Sequence, residues 1–145
     1  MKAYNELVGN ILEDEDRIKF EWIIGAVLTG APPRTMVIAG PSGSGKTTLT
    51  DIVRKLLSEF QGEISPRVAF HRDLVRPGRD YDPEVFNFVE CLDPVSPKWA
   101  LYIETTGGMI PVNKYHVLMR QIIMELDSLA DFCIERYRAL GVYHY

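Results

Sequence analysis

The sequence predicts an α/β fold with a mainly parallel central sheet and helices before and after it. Three observations carry this expectation. A short apolar run, Thr35–Ala39, leads through a glycine-rich loop into a helix-like run, Leu49–Leu57. Three more strand-like runs, at 67–72, 85–89 and 99–103, each end on a polar or charged residue. In open parallel sheets ligands bind beyond such strand ends. Helical periodicity fills both flanks of this region.

Composition bounds the answer. At 145 residues the chain suits one domain with a single core. We divide it into N-terminal helices (1–34), an α/β core (35–108) and C-terminal helices (109–145). A net charge of -4 argues against a broadly basic nucleic-acid binder but leaves room for a local basic channel. Cys91 and Cys133 lie far apart in apolar surroundings, so they read as reduced core residues of a cytoplasmic protein rather than a disulfide or metal pair. No apolar run approaches the roughly 18–20 residues a membrane span needs. The first residues lack the apolar stretch of a secretory signal.

Taken in order, Tyr4, Leu7, Val8 and Ile11 share one helical face and predict a short first helix. The acidic cluster 13–16 interrupts it, with Asp14 or Asp16 as candidate cap of a second helix over Arg17–Thr29. Gly30 and Pro32-Pro33 stop that helix. After the helix that follows the loop, Gly62 and Pro66 predict a turn, 67–72 a strand, and 73–83 a polar surface loop. Val85–Val89 ends at Glu90, and Trp99–Ile103 ends at Glu104-Thr105-Thr106. Leu118, Ile122, Leu126, Leu129, Cys133, Tyr137 and Leu140 recur three and four apart, predicting helices divided near Asp127-Ser128 and capped by Gly141.

The most informative stretch is Gly40-Pro41-Ser42-Gly43-Ser44-Gly45-Lys46-Thr47-Thr48. Gly40, Gly45, Lys46 and Thr47 fall in the register of a phosphate-binding P-loop, between a strand and a helix as that motif requires. Glycines let backbone N–H groups turn inward around an anion, and the new helix adds its unpaired N–H groups and dipole. Lys46 is the expected cation on terminal phosphates, and Thr47 the expected Mg²⁺ ligand. The pattern therefore predicts a nucleoside triphosphate, ATP with Mg²⁺, bound by residues 40–48.

Hydrolysis also needs a carboxylate beside the metal or the attacking water, a polar group at the terminal phosphate, and often an arginine. Glu90 and Glu104 both end strands. We prefer Glu90 for the metal or water side, with Asp93 in reserve, and Thr106 or Thr105 as the terminal-phosphate sensor. Neither strand closes with the usual Asp-Asp or Asp-Glu pair. Arg72, Arg76 and Arg79 are candidates for phosphate or nucleic-acid contact, or plain surface residues. Arg120 is a candidate to reach a nucleotide across a subunit boundary.

These residues resemble the ATPase domain of phage and viral superfamily-3-type helicases of the AAA+ class, in a short form. The segment Arg17–Leu57 carries most of the likeness. Trp99-Ala-Leu-Tyr-Ile-Glu-Thr-Thr-Gly-Gly-Met-Ile-Pro111 looks like a sensor strand and its turn, and Glu125–Arg136 looks like the C-terminal helical segment. The resemblance implies Mg-ATP hydrolysis, a homo-oligomeric ring, single-stranded DNA as partner, and a role in replication or remodelling in a bacterial host's cytoplasm. It lacks a primase domain and leaves little room between Phe60 and Trp99 for a DNA-gripping hairpin, so an accessory ATPase is the expectation. Two alternatives stand beside it. The loop is also similar to that of guanylate kinases, in which case Arg72, Arg76, Arg79 and Tyr81 would hold an acceptor nucleotide. A nucleotide-gated binding module with little turnover is the other.

Overall fold

The computed structural model describes residues 1–60, 67–73, 75–78 and 80–145. The predicted turn at Gly62 and Pro66, and the candidate Arg79, lie outside the described residues. The elements run α1 (Lys2–Ile11), α2 (Asp14–Leu28), β1 (Thr35–Ala39), α3 (Lys46–Phe60), β2 (Val68–Arg72), β3 (Phe86–Cys91), β4 (Leu101–Glu104), α4 (Val112–Ile123) and α5 (Leu126–Leu140).

The four strands form one parallel sheet in the order β2-β3-β1-β4. After β1 the chain passes over β3 through α3 to β2, returns to β3, then crosses to β4 on the other side of β1. Strand order therefore reverses at β1, and the crevice beyond its C-terminal end is where such sheets place ligands. The loop 40–45 occupies that end.

Side-chain alternation divides the sheet into two faces. Met36, Ile38, Phe86, Phe88, Leu101 and Ile103 join the main core, to which all five helices contribute. Val37, Ala39, Val89 and Cys91 form a second, smaller cluster with Tyr81, Ala100 and Tyr102. No helical residue belongs to it. The β2–β3 and β3–β4 connections carry no helix among the described residues, so this face is covered by loops, with Tyr81 packed between His71 and Trp99.

The flanking helices are tied together by polar contacts as well as apolar ones. Glu21 of α2 is fully buried, yet it accepts hydrogen bonds from the Tyr4 hydroxyl (2.8 Å), Arg17 Nε (3.0 Å) and Arg136 Nη2 (3.2 Å). Three helices thus meet at one satisfied carboxylate, which removes the cost of burying it alone. Burial above all, and then the Glu21 carboxylate, push the Tyr4 phenol well above its ordinary range, while Arg17 pulls it down. Glu125, between α4 and α5, accepts the N–H groups of Ala3 and Tyr4, each at 3.0 Å. It thereby caps the N-terminus of α1, where no local side chain does so. At the crossing of α2 and α5, a Cβ on Gly25 would lie 2.2 Å from the Cys133 carbonyl oxygen.

Several boundaries differ from expectation for local reasons. The second helix starts at Asp14, so Asp14, Glu15 and Asp16 fill its first turn and neither Asp caps it. Charge against the helix dipole explains their position better than capping does. The break between the last helices falls at Met124-Glu125 rather than Asp127-Ser128. β4 begins at Leu101, and Trp99 belongs to the preceding turn. Both cysteines are buried and free, with burial raising both thiols. Among the described residues no helix is long and apolar enough to cross a membrane.

Candidate functional site

The loop after β1 is shaped by contacts that tolerate only glycine. A Cβ on Gly40 would lie 2.0 Å from Thr105 Oγ1 and 2.6 Å from Ser44 Oγ. Gly45 has a φ of 104°, and a Cβ there would press to 2.9 Å against Ile11. The first bond into α3 runs from Leu49 N to Gly45 O (3.1 Å). The N–H groups of Lys46, Thr47 and Thr48 are consequently part of the unsatisfied turn at the helix start, the end that attracts anions.

Lys46 is buried, and its ammonium donates to the carbonyls of Gly40 and of Pro41, the latter at 2.9 Å. Burial pushes it below the usual lysine range, while the nearby Glu90 carboxylate pulls it back up. Thr47 Oγ1 donates to Glu90 Oε1 at 2.8 Å. Glu90 sits one residue before the end of β3, 4% exposed, in lateral register with Ile38 of β1 and Arg72 of β2. Its other oxygen lies 3.3 Å from the Thr50 hydroxyl and 3.8 Å from Arg72 Nε.

These groups open on one cavity of about 340 Å³. Its polar side is made by Ser42, Gly43, Gly45–Thr48, Arg72 and Glu90, and its apolar side by Leu7 and Ile11 of α1, Leu92, Met109, Ile110 and Tyr115. A charged floor beside an apolar wall is the general form of a small-molecule site.

The remaining candidates separate clearly. Thr105 reaches the loop: its hydroxyl donates to Ser44 Oγ at 2.6 Å, and its N–H donates to Ala39 O at 3.0 Å. Thr106, the preferred sensor, turns the other way. Its hydroxyl donates to Asn10 O (2.9 Å) and its N–H to Ile11 O (2.7 Å), fastening the end of β4 to α1. Successive residues leaving a strand face opposite sides, so only one of the pair meets the loop. Glu104, Thr105 and Thr106 all border a separate hollow of about 480 Å³ lined by Glu13, Asp14, Glu15 and Asp16, and none of the three lines the loop's cavity. That concentration of carboxylates repels a polyphosphate. Asp93 and Arg120 are not among the residues lining the loop's cavity, and Arg120 is exposed on α4.

No family model, curated protein or solved structure matches the chain.

Several contributors carry little signal in the sequence. Thr50 is fully buried beneath Glu90, one turn along α3 from Lys46. Its signal is faint: a threonine at an apolar position of the helix. Leu7 and Ile11 sit on the apolar stripe of α1, and nothing in a periodic pattern separates a core position from a cavity wall. Tyr115 and the 108–110 turn follow the sensor-like strand, where Met109 is 89% exposed. Tyr81, a candidate phosphate group on the kinase reading, has its hydroxyl engaged by Gly78 N (3.0 Å) and by Asp73 (3.3 Å). Arg76 is exposed and lies outside the cavity lining.

Proposed function

We propose that the chain is a P-loop NTPase that binds Mg-ATP and hydrolyses it, a minimal relative of AAA+ ATPases. The observation that supports this most is the convergence of Lys46, Thr47 and Glu90 on one cavity at the C-terminal end of β1. Glycines at 40 and 45 let the loop pack against Thr105, Ser44 and Ile11, where a Cβ would clash, and so keep its main chain in the turn that a phosphate would meet. A hydroxyl and a carboxylate 2.8 Å apart form a hard-oxygen pair suited to Mg²⁺, an ion that takes one or two protein ligands and completes its shell with phosphate and water. Bound there, Mg²⁺ would offset charge on the terminal phosphates.

On this reading Lys46 exchanges the Gly40 and Pro41 carbonyls for phosphate oxygens, and Lys46, Thr47 and Thr48 supply main-chain N–H donors. Glu90 orients the attacking water and Thr105 senses the terminal phosphate through Ser44. Water oxygen bonds to the terminal phosphorus, and the bond to the bridging oxygen breaks with its electron pair leaving on ADP. The water's proton passes to solvent. The apolar wall receives the base. Assembly as a homo-oligomeric ring in the cytoplasm, with Arg120 serving a neighbour's nucleotide and single-stranded DNA as the partner, completes the proposal.

The test is nucleotide binding and phosphate release by the purified chain, with and without single-stranded DNA. Lys46→Ala is expected to abolish ATP binding while the melting transition remains cooperative. Tight ATP binding by a folded Lys46→Ala protein overturns the assignment. Nucleoside diphosphate formed from an added monophosphate, with no free phosphate, replaces hydrolysis with a kinase. Binding without turnover reduces the function to a nucleotide-gated module.

A further inference from the structure

Arg72 is the last residue of β2, opposite Glu90 in the strand register. Its Nη2 donates to Thr47 Oγ1 at 3.3 Å and its Nε lies 3.8 Å from Glu90 Oε2. Both contacts are long for a guanidinium, whose charge-assisted bonds run about 2.7–2.9 Å. The side chain is 65% exposed. It thus hovers over the Thr47–Glu90 pair with most of its five donors available to a ligand in the same cavity.

Other described arginines are committed elsewhere or point away. Arg17 and Arg136 hold Glu21. Arg34 donates to the Tyr145 main-chain oxygen (2.7 Å), and Arg54 pairs with Asp51 (3.0 Å). Among the described residues, Arg72 is the one arginine lining the loop's cavity.

We infer that Arg72 grips the terminal phosphate of a triphosphate held by the loop of its own chain, separately from the Arg120 that a neighbour would contribute. This rests on the nucleotide-binding reading above. Thr47 and Glu90 are the oxygens that would hold the metal, whose charge would balance Glu90 in place of Arg72 and leave the guanidinium for phosphate. A diphosphate ends short of Arg72, so the residue distinguishes ATP from ADP.

The experiment measures dissociation constants for ADP and a non-hydrolysable ATP analogue by calorimetry, for wild type, Arg72→Ala and Arg72→Lys, each with Mg²⁺. Arg72→Ala is expected to weaken the triphosphate about tenfold or more, the scale of one charge-assisted bond, and to leave ADP within about twofold. Arg72→Lys should recover part of the loss. Equal weakening of both nucleotides, or no change in either, overturns the assignment. Wild type that binds neither nucleotide refutes the nucleotide reading itself, and this inference falls with it. Mixing Arg72→Ala with Lys46→Ala protein tests the own-chain clause. Phosphate release should stay near the sum of the two variants alone, and recovery toward wild type means that the arginine acts across subunits.

Discussion

Thr47 and Glu90, 43 residues apart in sequence, share a 2.8 Å hydrogen bond between the start of α3 and the end of β3. The pair joins the glycine-rich loop to the neighbouring strand, and it is the feature from which metal dependence should follow. Glu90→Gln keeps the size and a hydrogen-bonding oxygen but removes the charge. We expect the gain in ATP affinity on adding Mg²⁺ to shrink about tenfold in Glu90→Gln. Titrations in Mg²⁺ and in chelator read this directly, and an undiminished Mg²⁺ effect removes Glu90 from the metal site.

The titration of Lys46 provides a second check. Burial lowers its pKa and Glu90 raises it. Neutralising Glu90 removes the raising influence, so Lys46 in Glu90→Gln should lose its proton at lower pH than in wild type. Because the ammonium is the form that binds phosphate, ATP affinity should fall as pH rises through the Lys46 pKa, and fall earlier in the variant. Side-chain nitrogen NMR of Lys46, followed with pH, measures the order of the two values. A shift in the opposite direction contradicts the assignment of Glu90 as the neighbouring charge.

Glu125 acts on stability at a distance. Its carboxylate accepts the first N–H groups of α1, which carries Leu7 and Ile11 into the cavity wall. Glu125→Ala leaves those donors without their cap and should cost about 1–2 kcal/mol in urea unfolding, with Glu125→Gln costing less. A negligible change in Glu125→Ala means that water caps the helix equally well.

The legible part of the site was the part encoded locally. Residues 40–48 fix the loop because the glycines, Lys46 and Thr47 act within one turn of backbone, and Glu90 was visible because it ends an apolar alternation. The choice between Thr105 and Thr106 was not legible. Both follow β4, and the bonds from Thr106 to Asn10 and Ile11 depend on α1 lying alongside. The α4–α5 break was misread because the cause of Glu125's position is the start of α1, more than a hundred residues away. At the end of its strand, Arg72 was one of several arginines in or beside the loop, and only the pairing of β2 with β3 sets it opposite Glu90.

The closing of the helical layer over the sheet has a consequence for synthesis. Gly25 packs against Cys133, Trp22 Nε1 donates to Gly141 O at 3.0 Å, and Arg34 reaches Tyr145. Every one of these partners is translated after the whole sheet. A ribosome that has just completed β4 therefore holds a nascent chain whose apolar α2 surface still awaits α5. Residues 126–145 must emerge before that surface is sealed, and until then it stays exposed to association with other chains.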